Sequence, residues 1–151
     1  MASIKTYAEL KAYFETGDKP TQAQFEDLLY TMFSGLDSQP KKYYILASQT
    51  GTSAPTVESN GSGANTPFVN TLGGSVTLAR TNTGRYTLTS AGLFGASASK
   101  CDIKISLNSG SGYEFGAEWT SANVISISTF NTGSFSDDIL TMSSIKIEVY
   151  P

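Results

Sequence analysis

A chain of 151 residues with 39% hydrophobic content can fold as one ordinary domain, or as one domain with a small appendage. Charged residues make up only 15%; Ser, Thr, Asn and Gly fill the deficit, which suits sheets with uncharged polar faces and tight turns. The net charge of −3 and the even scatter of Lys and Arg argue against nucleic-acid binding, and no apolar run reaches the length of a membrane span.

The N-terminus, "MASIKTYAEL", lacks the apolar core of a signal peptide, so a chain made in a cytoplasm and not exported by that route is expected. Thr6-Tyr7-Ala8-Glu9 has capping-box spacing, and Leu10, Tyr13 and Phe14 follow as one apolar stripe. Gly17 is the expected stop. A second start comes at once: Thr21-Gln22-Ala23-Gln24 repeats the box, with Pro20 placed to staple onto Phe25. Phe25, Leu28, Leu29, Met32 and Phe33 then run at i, i+3, i+4, i+7 and i+8, ended by Gly35 and Pro40.

Two helices of about three turns each are marginal alone in water. Five large apolar side chains on the second require cover worth about 1.5–3 kcal/mol apiece, and the three on the first supply only part of it. Two arrangements remain open: a helical hairpin folded back on its own sheet, or association with further copies or another protein. Because "DSQPKKYY" has linker chemistry, the chain divides into a helical adapter or oligomerisation segment, 1–37, and a β domain, 42–151.

From Lys42 the period changes from 3.6 to 2. "KYYILA" (42–47) precedes "SQTGTSAPTVESNGSGANTP", a loop too polar to bury anything. Alternating segments follow at 75–81, 84–90, 102–108, 113–119, 123–129 and 144–150, with turn chemistry in "TNTG", "SGSG" and "TSA". This spacing predicts a mainly β fold, an antiparallel β-sandwich or jelly roll preceded by the two helices. Core candidates are Val76, Leu78, Tyr86, Leu88, Ile103, Ile105, Leu107, Val124, Ile125 and Ile127; in the last segment Ile145, Ile147 and Val149 share one face. "GLFGASASK" (92–100) reads as a connection crossing between sheets, and "SDDILTMSS" (136–144) as a turn into the final strand.

Catalytic chemistry has little to work with. With no His and one Cys, Cys101, the usual hydrolase base and a tetrahedral zinc site are both ruled out. No Gly-rich loop leads into a helix with a following Lys. Glu114 and Glu118 share a strand face but stand about 13 Å apart, too far for glycoside hydrolysis. Asp137-Asp138 fits a solvated turn better than a calcium site. No enzymatic activity, catalytic residue, cofactor or metal is therefore expected. Tyr113, Phe115 and Trp119 alternate along one segment; they form half of a sandwich core, an interface anchor or, through Tyr113 and Trp119, a sugar-stacking platform.

"LKAYFETGDKPTQAQFEDLLYTMF" (10–33) resembles the N-terminal adapter of structural virion proteins from phages that infect Bacteroidetes. "DDILTMSSIKIEVYP" (137–151) is similar to the closing strand of their β-sandwich modules. The resemblance implies a non-enzymatic head or tail fibre, spike or vertex component, assembled in the bacterial host cytoplasm and found in the virion. It further implies a homo-oligomer, with a trimer favoured, among other virion proteins; the stripe residues Leu10, Tyr13, Phe14, Phe25, Leu28, Leu29, Met32 and Phe33 are the expected oligomer or anchor interface. The alternative role is a carbohydrate-binding adhesin, for which a host surface glycan would be the partner; a purely structural module should show no selective glycan binding.

Overall fold

The computed structural model describes residues 4–14, 19–37, 39–58, 66–108 and 111–151, without the side chains of residues 35–37 and 58. The chain divides into two compact units, Met1–Gln39 with the terminal Pro151, and Pro40–Tyr150.

In the first unit both capping boxes form. Helix α1 (Tyr7–Ala12) starts where Glu9 N–H donates to Thr6 Oγ1 at 3.3 Å and Thr6 N–H donates to Glu9 Oε2 at 2.8 Å. Helix α2 (Gln22–Asp37) repeats the pattern, Gln24 N–H to Thr21 Oγ1 at 3.3 Å and Thr21 N–H to Gln24 Oε1 at 2.8 Å. The lengths differ from three turns each. α1 stops after six residues, with the Tyr13 and Phe14 amides donating to Leu10 O and Lys11 O; Gly17 lies outside the described residues. α2 runs through Gly35 to Asp37, because a glycine inside a helix costs only about 1 kcal/mol, which its neighbours offset.

The second unit is the expected sandwich. One antiparallel sheet has the order β2 (Thr56–Glu58), β1 (Lys41–Ser48), β10 (Ser143–Val149), β6 (Cys101–Ser106), with β3 (Val69–Asn70) also on β1. The other has the order β4 (Thr77–Asn82), β5 (Arg85–Thr89), β8 (Val124–Asn131), β7 (Tyr113–Ser121), with β9 (Ser134–Phe135) on β8. Alternation sets the inner faces. Tyr43 and Ile45 of β1 stand opposite Ile147 and Ile145 of β10, while Tyr86 and Leu88 of β5 stand opposite Ile127 and Ile125 of β8. All eight are buried in one shared core.

The structure corrects several sequence expectations. Val124 is not core: its neighbours Ile125 and Ile127 point inward, so period 2 turns Val124 out. Val76, Ile103 and Leu107 pack only partly buried against the core. The polar loop after β1 does bury groups, since Gln49 is enclosed and Val57 of β2 packs on the core. "SGSG" joins β6 to β7 across sheets and closes no hairpin, although residues 109–110 lie outside the described residues. The 92–100 segment does cross between sheets, through a short 3-10 turn at Ala98–Lys100, and it carries the fully buried Phe94. The 136–144 turn likewise buries Ile139 and Leu140.

A polar cluster built on Asp137 ties that turn to both sheets. Arg80 of β4 donates from Nε to Asp137 Oδ1 at 3.0 Å and from Nη2 to Oδ2 at 2.8 Å. Gly84 N–H donates to Oδ1 at 3.0 Å. The Tyr86 hydroxyl stands 3.2 Å from both Asp137 Oδ1 and Gln49 Oε1, so its single proton serves both. Gln49, just after β1, also accepts from Asp138 N–H at 2.7 Å and donates to Gly51 O. Arg80, foremost, holds the Asp137 carboxyl down to about 2 against the opposing effect of burial. Burial in turn pushes the Tyr86 hydroxyl up to about 12.

Candidate interaction surfaces

The apolar stripe of α2 faces solvent. Phe25 is 52% exposed, Leu29 38%, Met32 60% and Phe33 54%; of the five, only Leu28 is half-buried. The reason lies in where the segment before α1 attaches. Lys5 N–H donates to Thr31 Oγ1 at 3.0 Å, and Lys5 Nζ stands 3.7 Å from Asp27 Oδ2. Asp27 and Thr31 each lie two residues from Leu29, about 160° around the helix. The hydrogen bond and ion pair thus hold the flank that is nearly opposite the stripe. Leu10 and Tyr13 of the first stripe are half-buried, whereas Phe14 is exposed.

Tyr113 and Trp119 sit on one face of β7, opposite Asn131 and Ile125 of β8. They are six residues apart, about 20 Å along the strand, and do not form one platform. Trp119 packs half-buried against the core, and its indole N–H donates to Phe94 O at 2.9 Å. That hydrogen bond gives the ring a structural role and accounts for its polar handle. Phe115, between them on the same face, is 43% exposed because β7 is the edge strand of its sheet. Glu114 and Glu118 point to the opposite face of β7, separated by Gly116. The Asp137 carboxylate is engaged by Arg80, and among the described residues no group of three or more His, Cys, Asp or Glu is placed to hold a metal ion.

Sequence reasoning passed over the outer face of the β1–β10–β6 sheet. There the residues alternating with the core are Lys42 and Tyr44 on β1, Lys146 and Glu148 on β10, and Asp102 and Lys104 on β6. The signal was present in "KYYILA" and "SIKIEVY", whose polar positions interleave the apolar ones. Only the register shows that they adjoin.

Among the described residues no helix is long and apolar enough to cross a membrane. No family model, curated protein or solved structure matches this chain.

Proposed function

We propose that this protein is a non-catalytic structural component of a phage particle: α2 joins copies of the chain, or seats them on another virion protein, and the sandwich is displayed outward. The observation that carries the reading is the exposed stripe of Phe25, Leu29, Met32 and Phe33 on a sixteen-residue helix capped at its N-terminus. A single chain leaves 38–60% of each of those side chains in water, forgoing about half of the roughly 1.5–3 kcal/mol that full burial is worth. A second copy offers the same stripe and is self-complementary by symmetry.

The sandwich supports the same division of labour. Every residue of its core cluster lies within Pro40–Tyr150. On its outer face Lys42 pairs with Glu148 and Lys104 with Asp102, so part of its charge is balanced locally. The resemblance of 10–33 and 137–151 to Bacteroidetes-phage virion proteins points the same way. Quantitative mass spectrometry of purified particles from a lysed host culture that carries the gene tests the reading. The chain is expected at a fixed, symmetry-related copy number per particle; its exclusion from particles would overturn the proposal.

A further inference from the structure

A shallow depression of about 210 Å³ lies on the outer face of the β1–β10 pair. Its floor is the extended backbone at Tyr43 and Ile147, whose side chains are buried on the other side in the core. Its walls are Tyr44 and Lys146 on one cross-strand row, Lys42 and Glu148 on the next, and Val69 at the β3 end. The volume is below the roughly 300 Å³ at which pockets for drug-sized ligands begin, so it fits one small ring.

We propose that this depression binds a carboxylate-bearing sugar, a uronic-acid-type pyranose, as the terminal or exposed unit of a glycan. Three features of the walls converge on that chemistry. The first is an apolar flank: Tyr44 and the 37%-exposed Val69 line it, and Phe68, just outside the lining, stacks on Tyr44 with centroids 5.3 Å apart at 27°, so the flank offers an apolar edge to the C–H face of a pyranose. The second is the Lys42–Glu148 pair, N to O 3.6 Å, which presents a donor beside an acceptor, as vicinal hydroxyls require. Glu148 is steadied by the Tyr150 hydroxyl, which donates to Oε2 at 3.2 Å.

The third feature is charge. Lys42 is paired with Glu148 and Lys104 with Asp102, at 2.8 Å, whereas Lys146 has no carboxylate partner among the described residues. Its ammonium rests 4.9 Å from the Tyr44 ring centroid, an exposed cation–π contact weaker than the charge-assisted hydrogen bond that a ligand carboxylate supplies. Among the described residues the depression therefore holds two lysines, Lys42 and Lys146, against one carboxylate, Glu148. A neutral sugar uses the first two features only.

The assignment deepens the display reading by giving the displayed module a ligand, yet it stands on the sandwich alone. Binding through so small a site is weak for one copy, and an oligomer multiplies it about 10²–10⁴-fold by avidity when the geometry permits simultaneous engagement. Saturation-transfer difference NMR on the full chain, with glucuronic acid, glucose and acetate as probes, tests it. Glucuronic acid is expected to bind through its ring protons about tenfold more tightly than glucose, the worth of one charge-assisted hydrogen bond. Lys146→Gln should bring glucuronic acid down to the glucose level, Tyr44→Ala should abolish both signals, and Lys100→Gln, outside the depression, should change neither. Absence of a glucuronic acid signal, equal affinity for glucose, displacement by equimolar acetate, or indifference to Lys146→Gln would each overturn the proposal. A chain that binds glucuronic acid as a monomer would leave this inference intact while removing the associative reading.

Discussion

Replacing Asp137 by alanine removes two hydrogen bonds from Arg80, one from Gly84 N–H and a share of the Tyr86 hydroxyl. It also leaves a guanidinium whose side chain is only 18% exposed without its partner. Net contributions of about 0.5–1.5 kcal/mol per bond, tempered by water reaching a partly open site, put the loss near 3 kcal/mol. Part of it is pH-dependent, with a definite sign. The carboxyl falls from an ordinary 3.8 to about 2 in the fold, so its contribution is complete above about pH 4 and disappears as pH falls through about 2. That shift corresponds to about 2.5 kcal/mol at most, and solvent contact at the 13%-exposed Asp137 side chain reduces the measurable part to about 1–2 kcal/mol. Urea unfolding followed by Trp119 fluorescence, which reports on the sandwich, measures both quantities between pH 2 and 7. Asp137→Asn is expected to flatten the acid limb of the stability profile. The double variant Arg80→Met, Asp137→Leu should be less destabilised than the sum of the two single changes. An Asp137→Ala variant within 0.5 kcal/mol of wild type (roughly the scatter of neutral surface changes), or an acid limb unchanged in Asp137→Asn, would refute the clamp.

Gly84 adopts φ +58, and a Cβ there would lie 2.6 Å from both Ser136 N and Thr129 O, so Gly84→Ala should cost about 2 kcal/mol or more in urea unfolding. Gly133→Ala, at φ +80 with nothing within 4 Å, should cost only the backbone strain, about 1 kcal/mol. Ile147→Ala should destabilise by about 2–5 kcal/mol, while Val124→Ala, on the outer face, should stay within about 0.5 kcal/mol of wild type in the same assay. Cys101, pushed up to about 11 by burial and then by the neighbouring Asp102, should resist thiol reagents at pH 8 in the native chain and react on addition of urea.

Much of the sandwich was legible because its strands are half-buried, and a half-buried strand writes its burial into alternate residues. "SIKIEVY" gave the inward set Ile145, Ile147 and Val149 directly, and the register then places Ile145 and Ile147 against Ile45 and Tyr43. Both capping boxes were equally plain, since they are local in sequence. What escaped was nonlocal or too short to have a period. Phe94, Ile139 and Leu140 are buried from turns, and β2, β3 and β9 have only two or three residues each. Asp137 meets Arg80 across 57 positions, so "SDDIL" alone reads as an ordinary solvated turn. Among the surfaces, the stripe of α2 could be read residue by residue. That the segment before α1 would attach through Asp27 and Thr31, leaving the stripe open, could not, because the attachment is polar and carries no periodicity. The depression at Lys146 needed the β1–β10 register, which brings together residues a hundred positions apart.

The central proposal is that the exposed stripe of α2 is an association surface, joining copies of this chain in its simplest form. Sedimentation velocity on the full chain and on the double variant Leu29→Lys, Met32→Lys tests it most directly. Lysine keeps the helix propensity of the residues it replaces, and both positions are exposed in a single copy, so the monomer fold should be unaffected. A wild-type chain sedimenting as a discrete oligomer and a variant sedimenting at the 16.0 kDa of one chain, with unchanged circular dichroism, is the predicted result. A wild-type chain that is monomeric at all concentrations, or an oligomer that survives both lysines, would contradict self-association through α2 and leave docking on another protein as the stripe's use.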